Sequence, residues 1–202
     1  MKKFFLLAVV VLFSFNVYAA VVADTASAPV NVYVIDNAHS QIGFSVKHMM
    51  ISMTKGFFGD YAGTLSYDPK DSASFKAEVT IQTKSINTNN EKRDEHLRSP
   101  DFFDAAQFPT ITFTNTALTG KDGKYTLRGK LAMHGVTQDV SFPVEIAGPI
   151  NSPMGGTAIG LTGQLTINRQ DFGIKYNKTL DNGGLAISDD VVINVDLEAH
   201  KK

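Results

Sequence analysis

The chain contains no cysteine, which excludes disulfides, thiolate metal sites and a cysteine nucleophile. Its stability must come from burial of apolar surface. No GxSxG, HExxH, P-loop or CxxC pattern occurs, so the sequence carries no enzymatic signature, and no cofactor or metal is expected. Lys and Arg number 19 against 20 Asp and Glu, with no basic block to follow a phosphate backbone, so nucleic acid is not an expected partner. Apart from the extreme N-terminus, no apolar run approaches the roughly 20 residues needed to cross a bilayer as a helix.

What is present begins with a leader. Lys2 and Lys3 precede an apolar run from Phe4 to Phe15, followed by Val17-Tyr18-Ala19 with small residues at the two positions a signal peptidase reads. This is the pattern of a cleaved secretory signal peptide over residues 1–19. The expected mature chain, residues 20–202, is a single domain in the periplasm with no integral membrane segment. Loss of Lys2 and Lys3 takes the net charge from −1 to about −3, and about 183 residues are enough for one sizeable core.

From Asn31 onward apolar and polar residues alternate, the period of a strand with one buried face. "IGFSVKH" sets Ile42, Phe44, Val46 and His48 against Gly43, Ser45 and Lys47. "FFGDYAGTLSYD" continues with Phe58, Tyr61, Gly63 and Leu65, and its change of spacing near Gly59 predicts a bulge. "FKAEVTIQ" carries Phe75, Ala77, Val79 and Ile81; "TITFTN" carries Ile111 and Phe113. Tyr125, Leu127, Leu131 and Met133 follow, then Val140, Phe142, Val144 and Ile146, then Ile159, Leu161, Leu165 and Ile167, and finally Val191 to Leu197. Turn residues separate these segments, as at Gly120 to Gly123, Asn151 to Gly156 and Asp181 to Gly184. Only a weak turn near His48 to Met53 and the stretch from about Asn90 to Ser99, stopped by Pro100, read as helical.

About eight strands with one apolar face and too little helix to cover it must bury that face against itself. Closure also removes exposed edges. The expected fold is all-β: a closed antiparallel barrel of about eight strands with one short helix capping one end, and a sandwich is the alternative. Such a barrel is either solid or holds a small ligand. Gly63, Gly129 and Gly163 fall on the apolar phase of three strands. They are read either as missing bulk that leaves a cavity or as bends in coiled strands.

The segment "RDEHLRSPDFFDAAQFPTITF" concentrates acids, bases, His96 and several phenylalanines. Asp94, Glu95 and His96 are consecutive, about 100° apart on a helix, and no second histidine sits three or four residues from His96, so they do not converge on a metal. Asp36, His39 and Ser40 are too close in sequence to act as orienter, base and nucleophile. Glu91 to Glu95 are read as a solvated helix face. Arg93 and Arg98 either hold a polar head group or pair with Asp101 and Asp104. Leu97, Phe102, Phe103 and Phe108 form a lid or plug over the barrel mouth.

"DNAHSQIGFSVKHMMISMTKGFFGDYAGTLSYD", "RDEHLRSPDFFDAAQFPTITF", "GKLAMHGVTQDVSFPVE", "INRQDFGI" and "VVINVDLEA" occur in this order. Together they resemble the YceI-like family of exported polyisoprenoid-binding proteins, over about Tyr33 to Ala199. The resemblance implies a lipocalin-like barrel with an elongated apolar tunnel. It further implies that the chain carries a long isoprenoid, a quinone tail or prenyl lipid. The family brings no catalytic residues, and an enzyme acting on bound lipid or a solid-core interaction protein are the alternatives. A homodimer is compatible with the sequence. The candidate ligand-contacting residues begin with Phe44, Val46, His48, Met50, Phe58 and Leu65. Val79, Ile81, Leu97, Phe102, Phe103, Phe108 and Phe113 follow, with Leu131, Met133, Phe142, Leu161, Leu165 and Phe172 completing the set. His39, His96 and His134 are expected to hydrogen-bond backbone at strand ends. The methionine-rich "HMMISMTKG" departs from the family pattern and widens or softens the entrance.

Overall fold

Exposure along β5 (Lys76–Gln82) alternates residue by residue, with Ala77, Val79 and Ile81 buried and Lys76, Glu78 and Thr80 exposed. This one-sided burial recurs around the chain and dictates the architecture. The structure, a computed structural model, describes residues 31–153, 155–181 and 183–202. The predicted signal peptide lies outside the described residues. Eleven strands form one antiparallel sheet, and pairing of β1 (Val32–Ile35) with β11 (Ile187–Lys201) closes it.

Eleven strands make only eight staves, because three staves are broken. β1 and β2 (Gln41–His48) lie end to end along one edge of β11, with Tyr33 opposite Lys201 and Ile42 opposite Val195. β3 (Ser52–Phe58) and β4 (Tyr61–Ser66) form the second stave, pairing with β2 and β1 respectively. The predicted bulge near Gly59 is the break between them. β5 and β6 (Ile86–Asn87) form the third, pairing with β4 and β3. The remaining staves are continuous: β7 (Thr110–Lys121), β8 (Lys124–Met133), β9 (Val136–Asn151), β10 (Thr157–Asn168) and β11. The β7–β8 turn has Asp122 and Gly123 at φ 55° and 80°, the twist that a two-residue hairpin loop requires.

Helix α1 (Glu91–Arg98) caps one end. It starts where the Asn90 side chain accepts the Arg93 amide at 3.1 Å, and it stops at Arg98, with Ser99 as its cap just before Pro100. Its first turn is not the solvated face the sequence predicts. Asp94 is buried and accepts the Thr88 amide at 2.9 Å and the Thr88 hydroxyl, while Arg93 donates to the Thr88 hydroxyl and carbonyl at 2.7 and 2.8 Å. These bonds fix the helix to the chain leaving β6.

The opposite end is solid. Tyr33, Leu65, Tyr67 and Phe75 are almost fully buried there. Tyr67 meets Phe75 and Tyr125 edge to face, and the Tyr67 and Tyr125 hydroxyls share a 3.0 Å hydrogen bond. Burial and that bond hold the Tyr67 phenol well above its ordinary pKa.

Outside this core, the seam carries a polar clasp. The Asp36 amide donates to the Glu198 carbonyl, and the Ser40 hydroxyl both donates to that carbonyl and accepts the Glu198 amide. His39 Nδ1 lies 2.8 Å from Asp36, and His200 Nε2 lies 2.9 Å from Glu198.

Candidate functional site

Between the solid end and α1 the barrel is hollow. A cavity of about 410 Å³ runs along the bore, within the size range of small-molecule sites. Its lower wall is apolar: Leu65, Ala77 and Val79 at the base, then Val195, Ile193 and Val191 rising along β11. Phe44 and Val46 on β2 stand opposite Ile193 and Val191 in register. Three aromatic pairs stiffen the wall, Phe44 with Phe58, Phe58 with Phe103, and Phe113 with Phe142, at centroid distances of 5.9, 5.9 and 6.0 Å.

The hollow does not come from the glycines. A Cβ at Gly129 would stand 2.5 Å from the Phe113 ring, one at Gly63 2.5 Å from the Glu78 carbonyl oxygen, and one at Gly163 2.9 Å from Val144. Neighbours already occupy that space, so these glycines mark places where a ring, a backbone or a side chain approaches the strand closely, and the missing-bulk reading fails. Val46, Val191, Ile193 and Val195 stay only partly buried along the bore, beside the aromatic pairs of the wall, so this half of an eight-stave barrel holds space that its own side chains do not fill.

The rim is polar and cationic. His48, Thr54, Arg93, His96, Arg169 and Lys178 belong to the lining, and no carboxylate does among the described residues. Arg169 is buried and donates to the carbonyls of Ile174, Tyr176 and Ser188 at 2.8, 2.8 and 3.0 Å and to Asp189 at 3.1 Å. Burial pulls its guanidinium below the ordinary value, and Asp189 opposes the shift. Its geometric role is to fasten residues 174–176 to the start of β11. Tyr176, held this way, packs against His96 and Phe102 with centroids 4.9 Å away in each case. The helix end and residues 174–176 therefore form one lid. Lys178 and His48 are exposed members of the lining and mark where the cavity meets solvent.

Of the sequence-predicted ligand contacts, the structure puts sixteen in this wall: Phe44, Val46, His48, Phe58, Leu65, Val79, Ile81, Leu97, Phe102 and Phe103, with Phe113, Leu131, Met133, Phe142, Leu161 and Leu165. Three lie elsewhere. Met50 sits in the β2–β3 turn beyond the last inward residue and is 54% exposed. Phe108 packs on the His134 ring and over Gly135. Phe172 ends a 3-10 turn (Arg169–Phe172), where strand alternation no longer predicts direction. It lines a separate recess with Gln138 and Val140.

The histidine expectation holds only for His134, whose Nδ1 donates to the Phe172 carbonyl at 2.9 Å. His39 and His96 instead meet carboxylates, Asp36 and Asp101, each at 2.8 Å. Arg98 pairs with Glu91 rather than with Asp101 or Asp104. Sequence reasoning missed Arg169, Tyr176 and Ile187 in the lining. Only the apolar and aromatic spacing in "FGIKY" hinted at a segment returning to the mouth. Asp36, Glu198 and His200 bring donor atoms within 4.8 Å of one another at the seam, a set sized for a cation but already engaged in imidazole–carboxylate bonds.

The sequence pattern described as "YceI-like domain" matches residues 33–199. The chain belongs to the YceI-like family. A UPF0312 protein of Staphylococcus aureus (strain MRSA252) is 38% identical over 167 residues, covering 82% of this chain and 95% of that protein. The crystal structure of Burkholderia cenocepacia BcnA superposes with a TM-score of 0.71 at 27% identity, covering 81% of this chain and 98% of that one. A structure described as a polyisoprenoid binding domain from Saccharophagus degradans, implicated in plant cell wall breakdown, gives a TM-score of 0.63 at 20% identity over 86% of this chain and 99% of that one. At that identity the likeness speaks to the fold.

Proposed function

We propose that this YceI-like protein is a periplasmic, non-enzymatic carrier that holds the hydrocarbon chain of a long polyisoprenoid, a quinone tail or prenyl lipid, inside the barrel. The observation that carries the reading is the cavity of about 410 Å³, apolar from its base to just below a cationic rim and blocked at the far end. A chain-shaped apolar guest fits that shape, since each methylene removed from water stabilises the complex by about 0.8 kcal/mol. The polar end of such a guest would stay at the rim, near Arg93, His96 and Lys178. The polyisoprenoid-binding description of the Saccharophagus degradans domain supports the same ligand class. Lys2, Lys3 and the apolar run behind them support export.

Native mass spectrometry of protein purified from its own periplasm tests the carrier reading. The expected result is a bound lipid in the mass range of polyprenyl or quinone species, and a mature chain beginning near Ala20. A Val46→Phe substitution, which puts an aromatic ring into the bore, should weaken binding of a polyprenyl panel about tenfold or more. Protein that carries no lipid and binds none from the panel would rule the reading out.

A further inference from the structure

Eight large hydrophobic side chains are exposed among the described residues, and five of them, Met49, Met50, Ile51, Met53 and Leu185, gather at one place. Four belong to the tip of the β2–β3 hairpin. Leu185 adjoins it, because the Met49 amide donates to the Ala186 carbonyl at 2.8 Å. Ile51, at the apex, is 83% exposed. Met49 and Met50 have φ of 50° and 64°, a left-handed conformation that turns normally assign to Gly or Asn. Large apolar side chains are therefore held outward where small polar ones would be ordinary. Lys47, Lys55 and Lys178 flank the tip, all exposed and none in an ion pair among the described residues.

We propose that the β2–β3 hairpin tip is a docking finger that inserts into the surface of an anionic phospholipid membrane and brings the cavity mouth to the headgroup layer. The finger is convex and rich in flexible methionines, a form suited to a fluid, deformable lipid surface rather than to a preformed groove on a protein. Its lysines match anionic headgroups. Asp181 and Asp190 are exposed on the neighbouring segments, so insertion of apolar side chains supplies most of the attraction and added salt weakens it only in part. Val46, His48 and Thr54, on the same two strands, lie in the cavity wall. A docked finger thus gives a guest a continuous path from bilayer to bore, a consequence that rests on the carrier reading although docking itself does not.

Flotation with vesicles of phosphatidylethanolamine and phosphatidylglycerol tests the proposal. The wild type should float with the vesicles. Ile51→Asp combined with Met53→Ser, both at exposed positions, should lower partitioning about tenfold or more, with unchanged thermal unfolding and unchanged uptake of a fluorescent apolar probe into the cavity. Lys47→Glu with Lys55→Glu should reduce binding to these vesicles but leave binding to phosphatidylcholine vesicles unaltered. Docking is overturned if the wild type stays in the supernatant or if the Ile51/Met53 variant floats as well as the wild type. Vesicle binding without any probe uptake would uphold docking and count against the carrier reading instead.

Discussion

At the solid end Tyr33 is 0% and Phe75 2% exposed, with Leu65, Tyr67 and Tyr125 beside them, whereas at the open end Val46, Val191 and Ile193 point inward yet remain only partly buried. The same closed set of staves passes through both regions. Aromatic rings stand in both regions, so the difference lies in how they pack: Tyr67, Phe75 and Tyr125 meet one another and are buried, whereas Phe44 and Phe113 stay only partly buried and line the bore beside Val46, Val191 and Ile193. Whether a small barrel is a container or a core is thus decided by how inward residues pack in each half and not by closure.

The contrast is tested most severely by truncating one residue in each half. Phe75→Ala should destabilise by about 3–5 kcal/mol, because it opens a new cavity in a packed region. Val191→Ala should cost about 1 kcal/mol or less, because its side chain already faces free space. Urea unfolding measures both, and equal costs would break the comparison. Arg169→Met comes next. It strands the carbonyls of Ile174, Tyr176 and Ser188 and the Asp189 carboxylate, for an expected loss of about 3 kcal/mol. Hydrogen exchange should quicken at 174–176 and 187–189 while the solid end stays protected. Arg169→Lys should not restore it, because one ammonium cannot span the same acceptors. Tyr67→Phe leaves the Tyr125 hydroxyl without its buried partner and should cost about 1 kcal/mol. In the wild type the Tyr67 phenol should resist alkaline titration until the barrel unfolds, read by ultraviolet absorbance.

The smallest effect sits at the seam. The bond to His39 and the Ala38 amide hold the Asp36 carboxyl below its ordinary value, and the bond to Asp36 followed by its charge raises His39. The Asp36 contribution is present above the ordinary carboxylate value of about 4 and disappears as pH falls through the lowered folded value. The His39 contribution is complete below the ordinary imidazole value of about 6.5 and is lost as pH rises through the raised folded value. A His39→Gln variant should therefore differ most from the wild type between about pH 4 and 6.5, and only slightly, because both groups face solvent. Urea midpoints across a pH series provide the measurement. A difference that grew steadily above neutrality would contradict this assignment.

Much of the fold was legible. Alternation in "KAEVTIQ" and "KYTLRGKLAM" marks β5 and β8, and the Asn90 to Pro100 signals bracket α1 within a residue. Thirteen of the sixteen predicted wall residues stand on strands, where the inward phase is a local property, and Leu97, Phe102 and Phe103 lie on α1 and the turn behind it. Met50, Phe108 and Phe172 were expected in the wall and lie outside it, because each stands in a turn or loop, where period two says nothing about direction. Arg169 escaped for a different reason. A lone arginine in "INRQDF" looks like any surface cation until the chain brings Ile174, Tyr176 and Ser188 around it. His39 and His96 likewise found carboxylates that local spacing did not assign to them.

By itself the sequence determined an all-β chain with one short helix whose apolar face is buried against itself, as a barrel or a sandwich, because alternating side chains with no other partner must be buried against each other. Only the tertiary structure decided where the bore is hollow, which cation fastens the lid and which hydrophobic residues remain uncovered. Those outcomes depend on which side chains meet across staves far apart in sequence, and no local pattern encodes that distance.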